Sequence, residues 1–395
     1  MTFRICSQRL ILNLCTACVF GLLIGSALTC PAQGFHEGGV GNCNGCHSMH
    51  SAKPGSQQLL LSSDPSSICL NCHAGAGGPN SPSVFSPDGS ALTPGGDFYW
   101  LTRSYSWLDG SSPAADHGHN IVAIDYGLLS DPVLSTSPGG SFPSAALGCT
   151  SCHDPHGQVG GGTPRGSLPI TRSGSYGDVV DIGGVNGNYR LLGDSRYTPA
   201  NGPAFQANAP AARQSSVNRF EETDSSHVAY GAGMSEWCGN CHGDLLHNAH
   251  QVAGSSFVHP SGSGALLTPA LVSTYNSYLR TGDLSGVASN AYLQFVPFER
   301  GTSNLQLLDP NSTQGPEVTS TVMCLTCHRA HASAFPKAGR WDFNAVLLVD
   351  SHPKVGDMGG TAGDVYASYY GRDIALEFGS GQGSFCEKCH GSTTP

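Results

Sequence analysis

The feature that most constrains this chain is a short cysteine motif that recurs along its length. Cys-x-x-Cys-His occurs six times, with first cysteines at positions 43, 69, 149, 238, 324 and 386. The chain has 16 cysteines, and the four outside the motifs are Cys6, Cys15, Cys18 and Cys30. Every cysteine after Cys30 therefore belongs to a motif, so the group that the motif binds must be central to the fold.

Cys-x-x-Cys-His is the attachment motif of c-type haem, in which the two thiols bond the porphyrin and the histidine binds the iron as proximal ligand. A structural disulfide, a zinc site or a redox dithiol would explain one isolated copy. A zinc site, however, does not require a histidine after every second cysteine. The six copies predict six covalently bound c-type haems. The predicted attachment residues are Cys43, Cys46, Cys69, Cys72, Cys149, Cys152, Cys238, Cys241, Cys324, Cys327, Cys386 and Cys389, and the predicted proximal ligands are His47, His73, His153, His242, His328 and His390.

Histidines are numerous enough to supply a second ligand to every iron. The chain has 17 histidines, of which six are proximal. Three others follow a motif at the same spacing, in His47-Ser-Met-His50, His153-Asp-Pro-His156 and His328-Arg-Ala-His331. Two histidines three residues apart on a helical turn lie on neighbouring faces, so they cannot bind opposite sides of one iron. The second histidine is therefore expected to bind a different haem, which brings neighbouring haems close together.

The remaining histidines give weaker indications. His119 and His259 lie in loop contexts between motifs, His36 lies near the start of the predicted mature chain, and His247 is a plausible spare ligand. The others are interpreted as surface residues or as partners of haem propionates: His117, His227, His250 and His352.

The N-terminus resembles a secretory signal peptide. Arg4 and Arg9 precede an apolar run from Leu10 to Leu28, and Ala32-Gln33-Gly34 is a small-x-small cleavage site. We therefore predict a removed signal peptide at 1–34 and one hexahaem domain at 35–395, exported and without a membrane span. A lipid-modified Cys30 and a retained membrane anchor are the alternatives. The formal net charge of −10 becomes −12 when Arg4 and Arg9 are removed, which argues against nucleic-acid binding.

The composition predicts little regular structure. Glycine and proline together make 78 of 395 residues, and the motifs follow one another without a fixed period. We expect a mostly irregular chain with a few short helices and very little strand, wrapped around a chain of six haems. One helix is predicted after Thr268-Pro269 and ending at Gly282, and another near 364–372. Aromatic residues such as Phe98, Tyr99, Trp100, Tyr105 and Trp107 are expected to pack on porphyrin faces.

Several stretches besides the motifs indicate a family. "FHEGGVGNCNGCHSMH", "TPGGDFYW", "VAYGAGMSEWCGNCH", "CLTCHRAHAS" and "YYGR" resemble the hexahaem outer-surface cytochrome S family of metal-reducing bacteria, from Phe35 to the C-terminus. This resemblance implies extracellular nanowires of end-to-end subunits, with all irons bound by two histidines. It also implies that His50 binds a haem of the next subunit. The distal ligands that it implies are His36, His50, His119, His156, His259 and His331, without assigning each to a haem.

These features predict electron transfer rather than catalysis. Iron bound by two histidines has no open position for a substrate, and the predicted ligands outnumber the irons. We expect a conductive homopolymeric filament that accepts electrons from other c-type cytochromes and passes them to extracellular acceptors such as metal oxides. A monomeric periplasmic or outer-surface shuttle is one alternative. A multihaem reductase is another, but it would need an open iron.

Overall fold

The computed structural model describes residues 43–75, 81–156, 170–173, 185–215, 221–246 and 259–391. The predicted signal peptide, His36, His247 and His250 lie outside these ranges. Within them, no helix is long and apolar enough to cross a membrane.

Helices are short and many coincide with the haem motifs. The α-helices are α1 Pro65–His73, α2 Cys149–Cys152, α3 Met234–Cys238, α4 Pro269–Ser277, α5 Cys324–Cys327, α6 Ala362–Ser368, α7 Ile374–Phe378 and α8 Glu387–His390. The shorter 3-10 turns include Cys43–Gly45, Gln57–Leu59, Phe98–Thr102, Ala114–His117, Tyr189–Leu191, Pro336–Ala338 and Leu348–Asp350. Each of the six motifs thus contributes to a helical segment.

Strands form three separate two-stranded ribbons. β1 Tyr105–Trp107 pairs antiparallel with β2 Gly110–Ser112, and β5 Ala211–Gln214 pairs antiparallel with β6 Val228–Ala232. β3 Ile170–Ser173 pairs in parallel with β4 Val185–Gly187. No larger sheet forms among the described residues. The predicted fold class, mostly irregular with short helices and little strand, is confirmed.

The two helices that the sequence predicted are present with different ends. The Thr268 hydroxyl accepts a hydrogen bond from the Leu271 amide and caps α4, as expected. That helix ends at Ser277 instead of Gly282, because Tyr278 turns into the core and Gly282, with φ of 80°, occupies the following turn. Helix α6 begins two residues early, at Ala362, where the Thr361 hydroxyl caps it.

A core of protein side chains lies between the motifs. Its main cluster contains Leu70 of α1, Phe98, Trp100, Tyr105, Phe295, Phe335, Trp341 and Phe385. The expectation that the 98–107 aromatics pack on porphyrin is wrong for Trp100 and Tyr105, which are enclosed by this cluster. It stays a prediction for Trp107, which is half-buried and stacks on His352 with ring centres 3.7 Å apart. Burial of apolar aromatic surface against protein stabilises the loops that carry the motifs.

A buried ion network joins distant loops within this core. The Glu222 carboxylate lies 2.5 Å from Arg329 and 3.1 Å from Arg340, and all three side chains are almost fully buried. Arg329 also lies over the ring of Tyr370, 3.8 Å from its centre. Because Arg329 follows the proximal histidine of the fifth motif, the network holds that motif against the loop that contains Glu222.

Candidate haem-binding sites

The local structure of the motifs fits attachment of a planar group through two thiols. Cys69 and Cys72 lie in α1, which begins where the Asp64 carboxylate accepts the Ser67 amide hydrogen bond, 2.9 Å long. At 69, 149, 238, 324 and 386 both cysteines remain thiols rather than forming disulfides. No three His, Cys, Asp or Glu side chains converge as a metal cluster in the described ranges. The unbridged thiols favour haem over the disulfide alternative.

The proximal imidazoles are oriented by main-chain carbonyl groups. A carbonyl oxygen can only accept, so an Nδ1 within hydrogen-bond distance of one carries the proton and leaves Nε2 as the donor to a metal. Five proximal histidines show this contact. The distances are 2.8 Å for His47 to Gln58, 2.9 Å for His73 to Pro82, 2.9 Å for His153 to Arg190, 2.7 Å for His242 to Pro138 and 2.8 Å for His328 to Lys337.

Four proximal histidines each face a second histidine at nearly the same separation. The ring centres are 6.3 Å apart for His47 and His156, 6.3 Å for His153 and His331, 6.0 Å for His242 and His119, and 6.1 Å for His390 and His259. A metal ion held at about 2 Å from one nitrogen of each ring would separate two imidazole centres by about 6 Å. The residues therefore fit iron bound between two histidines.

Two proximal histidines and two predicted distal histidines remain outside these pairs. Among the described residues, neither His73 nor His328 faces another histidine at this separation. His50 is exposed, in a turn that follows the first motif. His36 lies outside the described residues. The assignment of the distal histidines as iron ligands stays a prediction, now with a partner for four of them.

Burial favours the neutral form, which is the form that binds metal, in four of these histidines. Burial, the largest cause, together with the charges of His153 and Arg190 lowers the pKa of His331 to about 3. Burial likewise lowers the pKa of His119, His328 and His390. An unprotonated imidazole is the ligand form, so no proton has to leave these rings at neutral pH before a metal binds.

Consecutive motifs are neighbours in space. The pKa of the Cys69 thiol is raised by a hydrogen bond with Cys149, then by burial and by nearby Cys46. The same proximity links Cys152 to Cys241, Cys238 to Cys324, and Cys327 to Cys386. The six motifs therefore follow one another through the molecule in sequence order.

Two other histidines were misinterpreted from the sequence. His117 and His227 were assigned to the surface or to propionates, but both are buried. His117 lies between the Ser112 hydroxyl and the Trp100 carbonyl, and His227 stacks on Tyr292 with ring centres 3.7 Å apart. The sequence also missed the carbonyl acceptors, because a main-chain oxygen leaves no residue signature.

The comparisons with known proteins agree with this site. A family described as the doubled CXXCH motif matches residues 36–78. The C-type cytochrome OmcS of Geobacter sulfurreducens is 39% identical over 416 aligned residues, which cover 92% of this chain and 95% of that protein. The chain belongs to the OmcS family of c-type cytochromes. Membership of the OmcS family accounts for six haems, one at each motif.

Solved structures extend the likeness to OmcS to the whole fold. The cryo-EM structure of OmcS nanowires from Geobacter sulfurreducens has a TM-score of 0.77 with this chain, and a structure of the outer membrane cytochrome S filament has a TM-score of 0.76. Each is 37% identical and covers 91% of this chain and 100% of its own.

Proposed function

We propose that this protein carries electrons along six stacked haems and polymerises into an extracellular conductive filament. Its OmcS relatives are described as nanowires and filaments, and the likeness spans nearly the whole chain. When bound, haem iron supplies a one-electron couple, and ligation by two histidines favours low-spin iron at lower potential than histidine–methionine ligation. Main-chain carbonyl groups accept hydrogen bonds from five of the proximal imidazoles and hold them in place, so that little has to move when the charge changes.

The proposal for assembly is supported by a repeated relation between a histidine that follows one motif and the proximal histidine of an earlier motif. His156 follows the third motif and faces His47 of the first, and His331 follows the fifth motif and faces His153 of the third. In both cases the donor histidine serves the motif two places earlier. His50 follows the first motif and has no motif two places earlier in its own chain. Its counterpart would be the fifth motif of a neighbouring subunit.

The fifth motif has the property that this relation requires. Among the proximal histidines of the first, third and fifth motifs, His328 is the one that faces no second histidine within the described residues. We therefore propose that His50 of one subunit binds the iron held by His328 of the next. His36 would then serve the iron of His73, which completes the set of six proposed distal ligands.

Apolar side chains at both positions support a contact between subunits. Met49, beside His50, is 80% exposed, and Leu59 of the nearby turn is also exposed. Near His328, the ring of Phe343 lies edge-on to the imidazole with ring centres 5.6 Å apart, and Phe343 is 38% exposed. Burial of such apolar surface at each junction would stabilise the filament besides the iron–histidine bond.

The location and electron partners follow from the same proposal. A signal peptide at 1–34 would export the chain, and residues 35–395 would form the hexahaem domain of an outer-surface filament. Other c-type cytochromes would supply electrons, and extracellular acceptors such as metal oxides would receive them.

The test of assembly is His50→Ala. Secreted protein with this change should retain six covalent haems by mass spectrometry but form few or no filaments by electron microscopy. It should also show one high-spin haem, which added imidazole returns to low spin without restoring filaments. His352→Ala is the matched control, because His352 stacks on Trp107 and faces no proximal histidine, so it should polymerise normally. Normal filaments from His50→Ala would overturn the proposal.

A further inference from the structure

The first, third and fifth motifs share a backbone feature that has no pattern in the sequence. Two consecutive residues with positive φ lie against each of them: Gln58-Leu59 at 59° and 58°, Arg190-Leu191 at 48° and 55°, and Lys337-Ala338 at 60° and 52°. None of the six residues is glycine. We refer to these pairs as the left-handed turns. They lie 11, 37 and 9 residues after the proximal histidines His47, His153 and His328, so no sequence period reveals them.

Each left-handed turn makes the same three hydrogen bonds to its motif. The carbonyl oxygen of the first residue contacts Nδ1 of the proximal histidine, at 2.8, 2.9 and 2.8 Å. The second residue accepts the amide after the histidine, in Ser48 to Leu59, Asp154 to Leu191 and Arg329 to Ala338. The carbonyl of the second cysteine accepts an amide just beyond the turn, in Leu61 to Cys46, Gly193 to Cys152 and Arg340 to Cys327.

The left-handed conformation of these turns places a main-chain carbonyl group, and is not explained by side-chain packing. A left-handed backbone is strained for a residue that is not glycine, so it persists only where its surroundings require it. The side chains of Gln58 and Lys337 are exposed, so their packing does not explain the strain. The element that all three turns direct towards a motif is the first carbonyl, which reaches the proximal imidazole.

The second and fourth motifs make the same imidazole–carbonyl contact without such a turn. Nδ1 of His73 lies 2.9 Å from the carbonyl of Pro82, and Nδ1 of His242 lies 2.7 Å from that of Pro138. The left-handed turns are therefore specific to the first, third and fifth motifs, which are also those followed by a donor histidine three residues on.

We propose that Gln58, Arg190 and Lys337 are positioning residues that orient the proximal imidazoles of the first, third and fifth irons and strengthen them as ligands. A carbonyl that accepts the Nδ1 proton fixes the tautomer and ring orientation and raises ligand basicity. A more basic ligand stabilises ferric over ferrous iron, so each turn lowers the potential of its iron. The chain is then built from three units of two haems, each beginning with a left-handed turn against its first motif.

This inference rests on the proposed function only in taking His47, His153 and His328 as iron ligands. The first motif allows a test that does not depend on polymerisation, because His47 and His156 belong to the same chain. Gln58→Pro forces φ to negative values and moves the carbonyl, whereas Gln58→Gly keeps the turn accessible. Both changes remove the same exposed side chain.

Spectroelectrochemical titration of both variants gives the decisive comparison. We expect both variants to retain the low-spin haems of the parent, with one haem of Gln58→Pro shifted to higher potential and the Gln58→Gly titration superimposing on the parent. Equal titrations for all three proteins, or the same shift in both variants, would overturn the proposal. Lys337→Pro and Lys337→Gly repeat the comparison at the fifth motif should Gln58→Pro fail to fold. A parent protein without histidine-ligated low-spin haem would instead refute the proposed function.

Discussion

At the scale of single residues, the histidines of this chain show that burial alone does not identify a ligand. His117, His227 and His331 are all largely enclosed, yet only His331 faces a proximal histidine, at 6.3 Å from His153. His50 is exposed but belongs to the same repeated spacing as His156 and His331. The separation and orientation of two rings therefore distinguish the candidate ligands better than their exposure.

Removing His331 tests the pairing within one chain. We expect His331→Ala to leave one of the six haems without its sixth ligand, because His331 is the ring that faces His153. The measurement is the high-spin signal in the electron paramagnetic resonance spectrum, counted against total haem. His227→Ala removes a buried histidine stacked on Tyr292 and should add no high-spin haem. An entirely low-spin His331→Ala protein would remove His331 from the ligand set.

The buried Glu222 allows a prediction about stability. Burial raises the pKa of this carboxyl, but the charges of Arg340 and Arg329 outweigh that effect and leave the pKa lowered. Its stabilising contribution is therefore present above the unfolded-state pKa and is lost as pH falls through the folded value. Glu222→Gln leaves two buried arginines without their anion and should lower the free energy of unfolding by about 3–5 kcal/mol.

Urea unfolding at neutral pH provides the measurement for Glu222. The exposed neighbour Glu221 is the matched control, since Glu221→Gln makes the same change of charge at the surface and should alter stability by less than about 0.5 kcal/mol. Equal effects of the two substitutions would show that the ion network does not stabilise the fold.

At the scale of elements, the sequence predicted those features whose causes are local. The motif helices and the cap at Thr268 follow from the residues that form them, and both are present. The left-handed turns could not be predicted, because Gln58, Arg190 and Lys337 have no intrinsic preference for positive φ. Pro138, whose carbonyl contacts His242, precedes it by 104 residues, and such a long-range contact leaves no local pattern.

Glu299 connects two motif helices and should make stability depend on pH. Its carboxylate accepts the Met234 amide at the start of α3 and the Thr321 hydroxyl before α5. Burial, the largest cause, raises its pKa to about 7 from 4.5. The folded protein therefore binds this proton more tightly than the unfolded chain, and the free energy of unfolding should fall by about 3 kcal/mol as pH rises from 4.5 to 7.

Unfolding measured across that pH range tests the role of Glu299. Glu299→Gln keeps an acceptor oxygen but does not titrate, so its stability should lose this decline with rising pH. Glu317→Gln, at an exposed carboxyl, should retain the parent profile. Parallel pH profiles for Glu299→Gln and the parent would contradict the assignment.

At the scale of the whole molecule, the order of motifs in space follows their order in the chain. The sequence established the number of haems and the likeness to a filament-forming family, but it did not assign partners to the distal histidines. Those partners depend on loops such as the one that brings His331 to His153 across 178 positions of the chain. Once two such pairs are placed, the same relation assigns His50 of one subunit to His328 of another.

The central claim is that this bond between subunits continues the haem chain from one molecule to the next. A cryo-EM map of filaments assembled from this protein tests it most directly, since the map shows both ligands of every iron. We predict His50 of one subunit and His328 of its neighbour on opposite faces of the same haem. A map in which His50 lies in solvent, or in which the His328 iron takes a ligand from its own chain, would contradict the claim.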